Sequence, residues 1–498
     1  MTAVKKLFLI PGNHLYPLDM LTPYRSHTLV MVEDTTRCTR RKYHQQKIGL
    51  IIAAMREYAK TLNRQGFNLQ YYGLDQGLSI EAILTRLTGQ ETHLTSFEIS
   101  DHSLQSSIRT LCAEQGVRWT SAGDPGFLTP KEEFNRYREN RSTLRMADFY
   151  KQQRRKLEIL VDASGKPAGG KWSFDEANRK KLPRRTAPPD APQTRHSALT
   201  TTTLQEISQR FHDHPGDANA LWVPTTREES IHWLRTFLEE RLIGFGTYED
   251  AISQRSQTLF HSCISPMLNL GLITPQEVVE QSLQYAKDRQ IPLNDLEGFI
   301  RQLIGWREFV RGIYDQFAER LSQENTRQQK RLLTSHWHDG TTGLPPLDDA
   351  IRQTLARGWN HHIPRLMVLA NLMNLCDIHP RQAYEFFMSH YIDAYDWVML
   401  PNVYGMGVNS DSGVFASKPY ICGSNYILKM SDYPKGDWCD IWDGLFWRYI
   451  SNNKSLYQSN PRMRPMLANL ARIPEARRTQ IFKAAKAFIS RCTLAADD

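Results

Sequence analysis

The chain has 498 residues, 40% hydrophobic and 10% aromatic, too long for one small core and too apolar for a disordered chain, so two or three domains are expected. Its net charge of +9 is compatible with a polyanionic partner such as nucleic acid but does not require one. No stretch reaches the ~18 apolar residues of a membrane span, and LFLI at 7–10 is cut off by Pro11 and Gly12, too soon for a signal peptide, so no membrane contact and a cytoplasmic location are expected.

The first 130 residues alternate strand and helix signals. LFLI (7–10), TLVMVE (28–33), FNLQYY (67–72), LTSFEI (94–99) and VRWTS (117–121) are strand candidates, and residues 45–64 carry Ile48, Ile51, Ile52, Met55, Tyr58 and Leu62 at helical spacing. Such alternation predicts a doubly wound parallel sheet covered on both faces, an α/β domain over 1–130. Ligands bind beyond the carboxyl ends of such strands, which draws attention to Pro11, Gly12, Asn13, His14, Glu33 and Asp34. Residues 134–156 hold eight Arg or Lys between Arg136 and Lys156, interleaved with Tyr137, Phe149 and Tyr150, and read as a solvated helix face or a phosphate-binding surface. Residues 183–202, rich in Pro, Thr and Ala, read as a linker, so 131–224 is expected to be an interdomain helix and linker.

From 225 to 498 the pattern is helical, which predicts an all-α domain. In LEGFIRQLIGWREFVRGIYDQF the residues Phe299, Leu303, Trp306, Val310 and Ile313 form one stripe, with Arg301, Glu308 and Arg311 expected to face away. Seven scattered cysteines without a CxxC pair predict reduced thiols and no metal ligands. There is no P-loop, GxGxxG, GxSxG or HExxH. A helical domain rich in aromatics and poor in catalytic motifs suits a large flat cofactor that supplies the reactivity itself.

Four segments sharpen that reading: FGTYEDAISQ (245–254) leading into HSCISPMLNLGLIT (261–274), GFIRQLIGWREF (298–309), GWNHHIPRLMVL (358–369) and YIDAYDWVMLPNVYGMG (391–407). Their order and residue types resemble the photolyase/cryptochrome family, whose helical domain folds around FAD. GGKWSFDEANRKKLP (169–183), the paired histidines and KPYICGSNYILKMSDY (418–433) are similar to its prokaryotic (6-4) photolyase and bacterial cryptochrome branch, known for an iron–sulfur cluster. The resemblance covers nearly the whole chain.

It implies roles residue by residue. Tyr248 matches the tyrosine at the FAD phosphates, and His261, Ser262 and Ser265 match the loop holding the pyrophosphate, in which Cys263 replaces a common arginine. Trp306 and Arg307 match a pair beside the cavity. Arg365 matches an arginine paired with an aspartate at the flavin ring, with Asp396 the first expected partner and Asp393 the second, and Asn402 falls near flavin N5. His362 takes the position of the histidine that acts on a (6-4) photoproduct, which needs a proton delivered; His361 is expected to support it.

The chain departs from the branch in two ways. Only Cys439 stands where a cluster ligand is expected, so a 4Fe–4S cluster, which needs thiolate ligands, is not expected. The electron relay of the branch should include a tryptophan and a tyrosine where Phe386 and Phe387 stand, and Trp337, Trp359 and Trp397 are candidate substitutes. A lumazine antenna is expected in the α/β domain, near Asn13, His14, Glu33 and Lys47. The implied function is light-driven electron transfer from reduced FAD to a pyrimidine lesion, most simply the (6-4) photoproduct, by a monomer acting on UV-damaged DNA. The rivals are a cyclobutane-dimer photolyase, a blue-light photoreceptor without repair activity, and a non-catalytic DNA-binding module.

Overall fold

A computed structural model describes residues 4–495 apart from Asn140, Ser142 and Ser417. Five strands, β1 (Lys5–Leu9), β2 (Thr28–Val32), β3 (Leu69–Tyr72), β4 (Thr92–Ser96) and β5 (Arg118–Ser121), form a parallel sheet in the order β3-β2-β1-β4-β5. The central strands β1 and β2 carry apolar runs, LFL and LVMV, because both faces are covered. In β1, Leu7 and Leu9 join Val30, Val32, Ile83 and Ile108 on one side. Phe8 joins Leu29, Met31 and the helix Gln45–Arg64 on the other.

The order reverses at β1, the position where such a sheet opens a crevice. Here the chain fills that crevice itself. His14 is buried against Tyr16, with ring centroids 5.5 Å apart, and Leu15 N–H donates to the Leu270 carbonyl at 2.8 Å. The helical half is thereby fastened to the end of β1. Burial pushes the His14 pKa down to about 4, so its ring is neutral. Of the other groups expected near an antenna, Glu33 and Lys47 are committed to the chain. Glu33 is held by Arg56 at 2.7 and 3.0 Å and by the Leu74 N–H at 2.8 Å. Lys47 donates to the Met388 carbonyl at 2.9 Å.

Part of the expected linker is helical. Ser197 caps the helix Ala198–Arg210 by accepting from Thr200 N–H. The helix lies on Gln45–Arg64 so closely that a Cβ on Gly49 would stand 2.7 Å from Leu204. The run of four threonines, poor helix formers, hides this helix in the sequence. The basic stretch also differs from a solvated face: Tyr137, Phe149, Tyr150 and Arg154 are buried. Arg154 donates to the carbonyls of Ile159 and Trp172 at 3.2 and 3.0 Å.

The long helix over 293–323 is buried on nearly every side between 295 and 314 rather than on one stripe. Arg301, Glu308 and Arg311 are buried, whereas Trp306 is only partly so. The polar face is covered because the preceding chain lies on it: Glu308 accepts the backbone N–H groups of Leu128 and Thr129 at 3.1 and 2.8 Å. One apolar cluster runs from Phe8 through Trp222 to Trp359 and Ile392, so sheet, connector and helices share a core.

Candidate active site

Three stretches of wide π-helix interrupt the helical half: Arg301–Arg307, Pro364–Ala370 and Pro401–Gly407. Each carries a residue expected at the cofactor, namely Trp306 and Arg307, Arg365, and Asn402. A π turn squeezes an extra residue into the helix and re-aims the side chains around it, and such turns are frequent at functional sites.

The segment GWNHHIPR is built by a helix end and a helix start. Gly358, at φ +59°, ends the helix Pro345–Arg357 in the left-handed conformation that glycine adopts at little cost. Trp359, Asn360 and His361 are buried in the non-helical gap, and helix resumes at His362. Arg365 donates through Nη1 and Nη2 to the two carboxylate oxygens of Asp393 at 2.9 and 3.0 Å, and through Nε to the Asn360 carbonyl at 2.7 Å. Asp393 also accepts from Ser265 at 2.6 Å, which ties the 261–265 loop to this pair. The first expected partner of Arg365, Asp396, instead accepts from the Tyr384 hydroxyl. Asp396 opens the helix Asp396–Leu400, whereas Asp393 lies in the turn before it and is free to face the arginine.

The paired histidines gain a third. His261 stacks on His361 with centroids 4.3 Å apart and an interplanar angle of 17°, and meets His362 edge-on at 5.7 Å. Burial drives the pKa of His261 and His361 well below the usual histidine range, and the neighbouring histidines push it further, so both rings are neutral. His362 is different. Its side chain is half exposed, and its Nε2 lies 3.4 Å from Asp250 Oδ1. Burial opposes its charge, but Asp250, with Glu249 behind it, prevails and raises its pKa. Glu249 is itself pushed up to about 7 by burial, against the pull of Arg301 3.3 Å away. The site thus holds one ionisable histidine beside two neutral ones.

The loop before it has an anion-binding shape. Cys263 is left-handed at φ 55° and Ile264 right-handed, an alternation that turns successive N–H groups inward. Near Cys263 is Arg241, fully buried, whose Nε, Nη1 and Nη2 have no hydrogen-bond partner among the described residues. A buried guanidinium without an anion is costly. A pyrophosphate satisfies both features, and these residues therefore fit FAD.

Other residues expected at the cofactor have partners within the chain. The Tyr248 ring stacks on Phe260 at 5.2 Å. Arg307 donates to Asn269 at 2.8 Å and lies 4.7 Å from both the Phe127 and Trp397 rings. Trp306 leans on Phe415 at 6.2 Å, and Asn402 donates to the Val398 carbonyl one turn back at 2.7 Å. Ser262 lends its carbonyl to Trp233 at 2.9 Å. Sequence reasoning missed Arg241, Glu249 and Asp250. The acidic pair stood inside FGTYEDAISQ, but Arg241, at the end of LEER, reads as a solvated helix end. Cys439 is buried, and the group of metal-ligating side chains that converges among the described residues is the three histidines rather than a set of thiols. No described helix is long and apolar enough to cross a membrane.

Comparison with known proteins gives the following. A family described as deoxyribodipyrimidine photo-lyase-related protein matches residues 8–222, and the FAD binding domain of DNA photolyase matches residues 299–436. The chain is 30% identical to a (6-4) photolyase of Agrobacterium fabrum, over 98% of this chain and 100% of that one. Among solved structures, a class III photolyase from Agrobacterium tumefaciens superposes with a TM-score of 0.55 at 18% identity, covering 98% of each chain. An archaeal photolyase from Sulfolobus tokodaii with two FAD molecules gives 0.55 at 15% identity, over 97% of this chain and 100% of that one.

Proposed function

This chain belongs to the photolyase/cryptochrome family, and from that premise we propose that it repairs UV-damaged DNA in the light, with the (6-4) photoproduct as its lesion. Reduced FAD supplies the light-driven electron. Arg241 and the backbone of the 262–265 loop hold the pyrophosphate, and the Arg365–Asp393 pair flanks the flavin ring, fixed through Ser265 and Asn360.

The observation that carries the lesion assignment is the asymmetry of the histidines. Moving a group between two pyrimidines requires a proton at a defined atom, and His362 alone of the three is both half exposed and held by a carboxylate that favours its charged form. His361 and His261 are buried and neutral, and pack behind it. A flipped-out lesion reaching the exposed edge of His362 meets the proton there, with Asp250 balancing the charge; flipping costs a few kcal/mol, least at a damaged base.

The test is illumination of the flavin-loaded protein with an oligonucleotide carrying one (6-4) lesion, followed by chromatography for restored thymines. Restoration is expected. A protein that restores cyclobutane dimers and leaves the (6-4) lesion untouched refutes the lesion assignment, and one that restores neither while its flavin still responds to light is a photoreceptor.

A further inference from the structure

We propose that His261, His361 and His362 form a binding site for a divalent transition-metal ion of the Zn2+ type, and that an ion held there switches repair off. Each histidine offers a ring nitrogen, and these atoms lie within 4.8 Å of one another. Zinc–imidazole bonds are ~2.0–2.1 Å, so the nitrogens of a tetrahedral site stand about 3.3 Å apart. The His261 and His361 rings, stacked at 17°, turn out of parallel for both to meet one ion in their ring planes.

The hydrogen bonds leave ring nitrogens over. His261 Nε2 is buried and has no hydrogen-bond partner among the described residues, so its valence is open. An unpaired buried nitrogen costs about 1–3 kcal/mol, which an ion would recover. His362 commits Nε2 to Asp250 and leaves Nδ1 free. A carboxylate behind a ligating imidazole is the usual way proteins orient such a ligand. His361 accepts the Ile363 N–H at Nδ1 over a long 3.4 Å contact. Ligation at its Nε2 transfers that ring's proton to Nδ1 and gives up only this weak bond.

The donor set selects the ion. Three imidazoles suit zinc, nickel or copper and suit magnesium or calcium poorly, since those take oxygen ligands. His362 is half exposed, so a fourth position faces solvent and takes water. Three protein ligands and an open position make an exchangeable site rather than a structural one. An ion on Nδ1 of His362 occupies the ring nitrogen that Asp250 leaves open, and so blocks the edge from which a proton would be delivered. The switch rests on the reading of His362 as proton donor; the binding of the ion does not.

The experiment uses the flavin-loaded protein, stripped with a chelator and titrated with Co2+ in the dark. Ligand-field bands to the red of the flavin absorption are expected, saturating at one Co2+ per chain and bleached by Zn2+. His261→Gln and His362→Asn should each weaken Co2+ about 10²-fold, and Asp250→Asn about 10-fold, the scale of a lost carboxylate behind a ligand. His362 is exposed enough that His362→Asn decides the matter alone if His261→Gln does not fold. Absence of the bands, or bands that both histidine variants retain, overturns the site. In the light, one equivalent of Zn2+ should abolish repair, with full recovery on chelation. Binding that leaves repair unchanged overturns the switch. A metal-free protein that repairs nothing overturns the repair reading and leaves the site standing on its spectrum.

Discussion

Glu33 and Arg241 are both fully buried charged side chains, one in the sheet half and one in the helical half, and their surroundings are opposites. Glu33 is saturated: a two-pronged pair with Arg56, the Tyr71 hydroxyl and the Leu74 N–H leave no oxygen to spare. Arg241 has three nitrogens and no partner for any of them among the described residues. A saturated buried charge belongs to the folded chain itself; an orphaned one marks a place where something else completes the structure. On this measure Glu33 is a fastening of the sheet half, while Arg241 is kept for a ligand.

The largest effect should come from breaking the saturated side. Glu33→Ala leaves Arg56 with Glu206 and Thr203 and strands Tyr71 and the Leu74 N–H, at an expected cost of about 3 kcal/mol, typical of removing one partner from a buried pair. Circular dichroism melts of the variant should move down by several degrees; an unchanged midpoint would show the network to be dispensable. Next in size is the chemistry. His362→Asn should keep its flavin content and DNA affinity while repair falls about 10²-fold, the scale of a removed positioned acid. His361→Asn should be milder in repair. If His362→Asn repairs the (6-4) lesion at the wild-type rate, the proton role passes elsewhere.

The orphaned side gives a smaller effect with an unusual sign. Arg241→Met removes an uncompensated buried charge, so the flavin-free protein should melt higher, by the equivalent of about 1 kcal/mol. FAD should bind about 10-fold more weakly, the loss of one charge-assisted contact. A variant that melts lower without flavin would reveal a partner for Arg241 within the chain and end the comparison with Glu33. The smallest effect is one of pH. Burial, against the pull of Asp396, lowers the Lys47 pKa to about 7 from 10.5. Between those values the unfolded chain binds a proton that the folded chain does not, so this residue makes stability rise with pH. Lys47→Met should therefore lose its advantage over wild type between pH 7 and 9, by about a degree or two in midpoint. A constant difference across that range would mean that Lys47 keeps its charge.

The sheet was legible in the sequence because a strand buried on both faces is a plain apolar run, and LFLI at 7–10 overlaps β1 (Lys5–Leu9) with a shift of two residues at its start. The helical half was legible as helix but not in its faces. Arg301, Glu308 and Arg311 look solvated in LEGFIRQLIGWREFVRGIYDQF, and only the covering of that face by chain around Leu128 and around Glu249 makes them core. The choice between Asp393 and Asp396 depended on where a turn ends and a helix starts within YIDAYD, and periodicity does not resolve a boundary that fine. Arg241 could not be found from sequence at all, since its meaning lies in partners it lacks.

The π turns have a consequence for how this protein tolerates changes in length. An α-helix advances about 100° per residue, so a helix that gains or loses a residue swings everything beyond it to another side. Each wide turn is an insertion of this kind already absorbed. Deleting one residue from Pro364–Ala370 would let the backbone close to ordinary pitch without breaking the helix, and would rotate Arg365 relative to the residues that follow it. The helix would survive and the site would lose its aim. The bearing of Arg365 on Asp393, and of Asn402 on its surroundings, is written as a count of residues in a helix one place too long, which no substitution can restore once that place is lost.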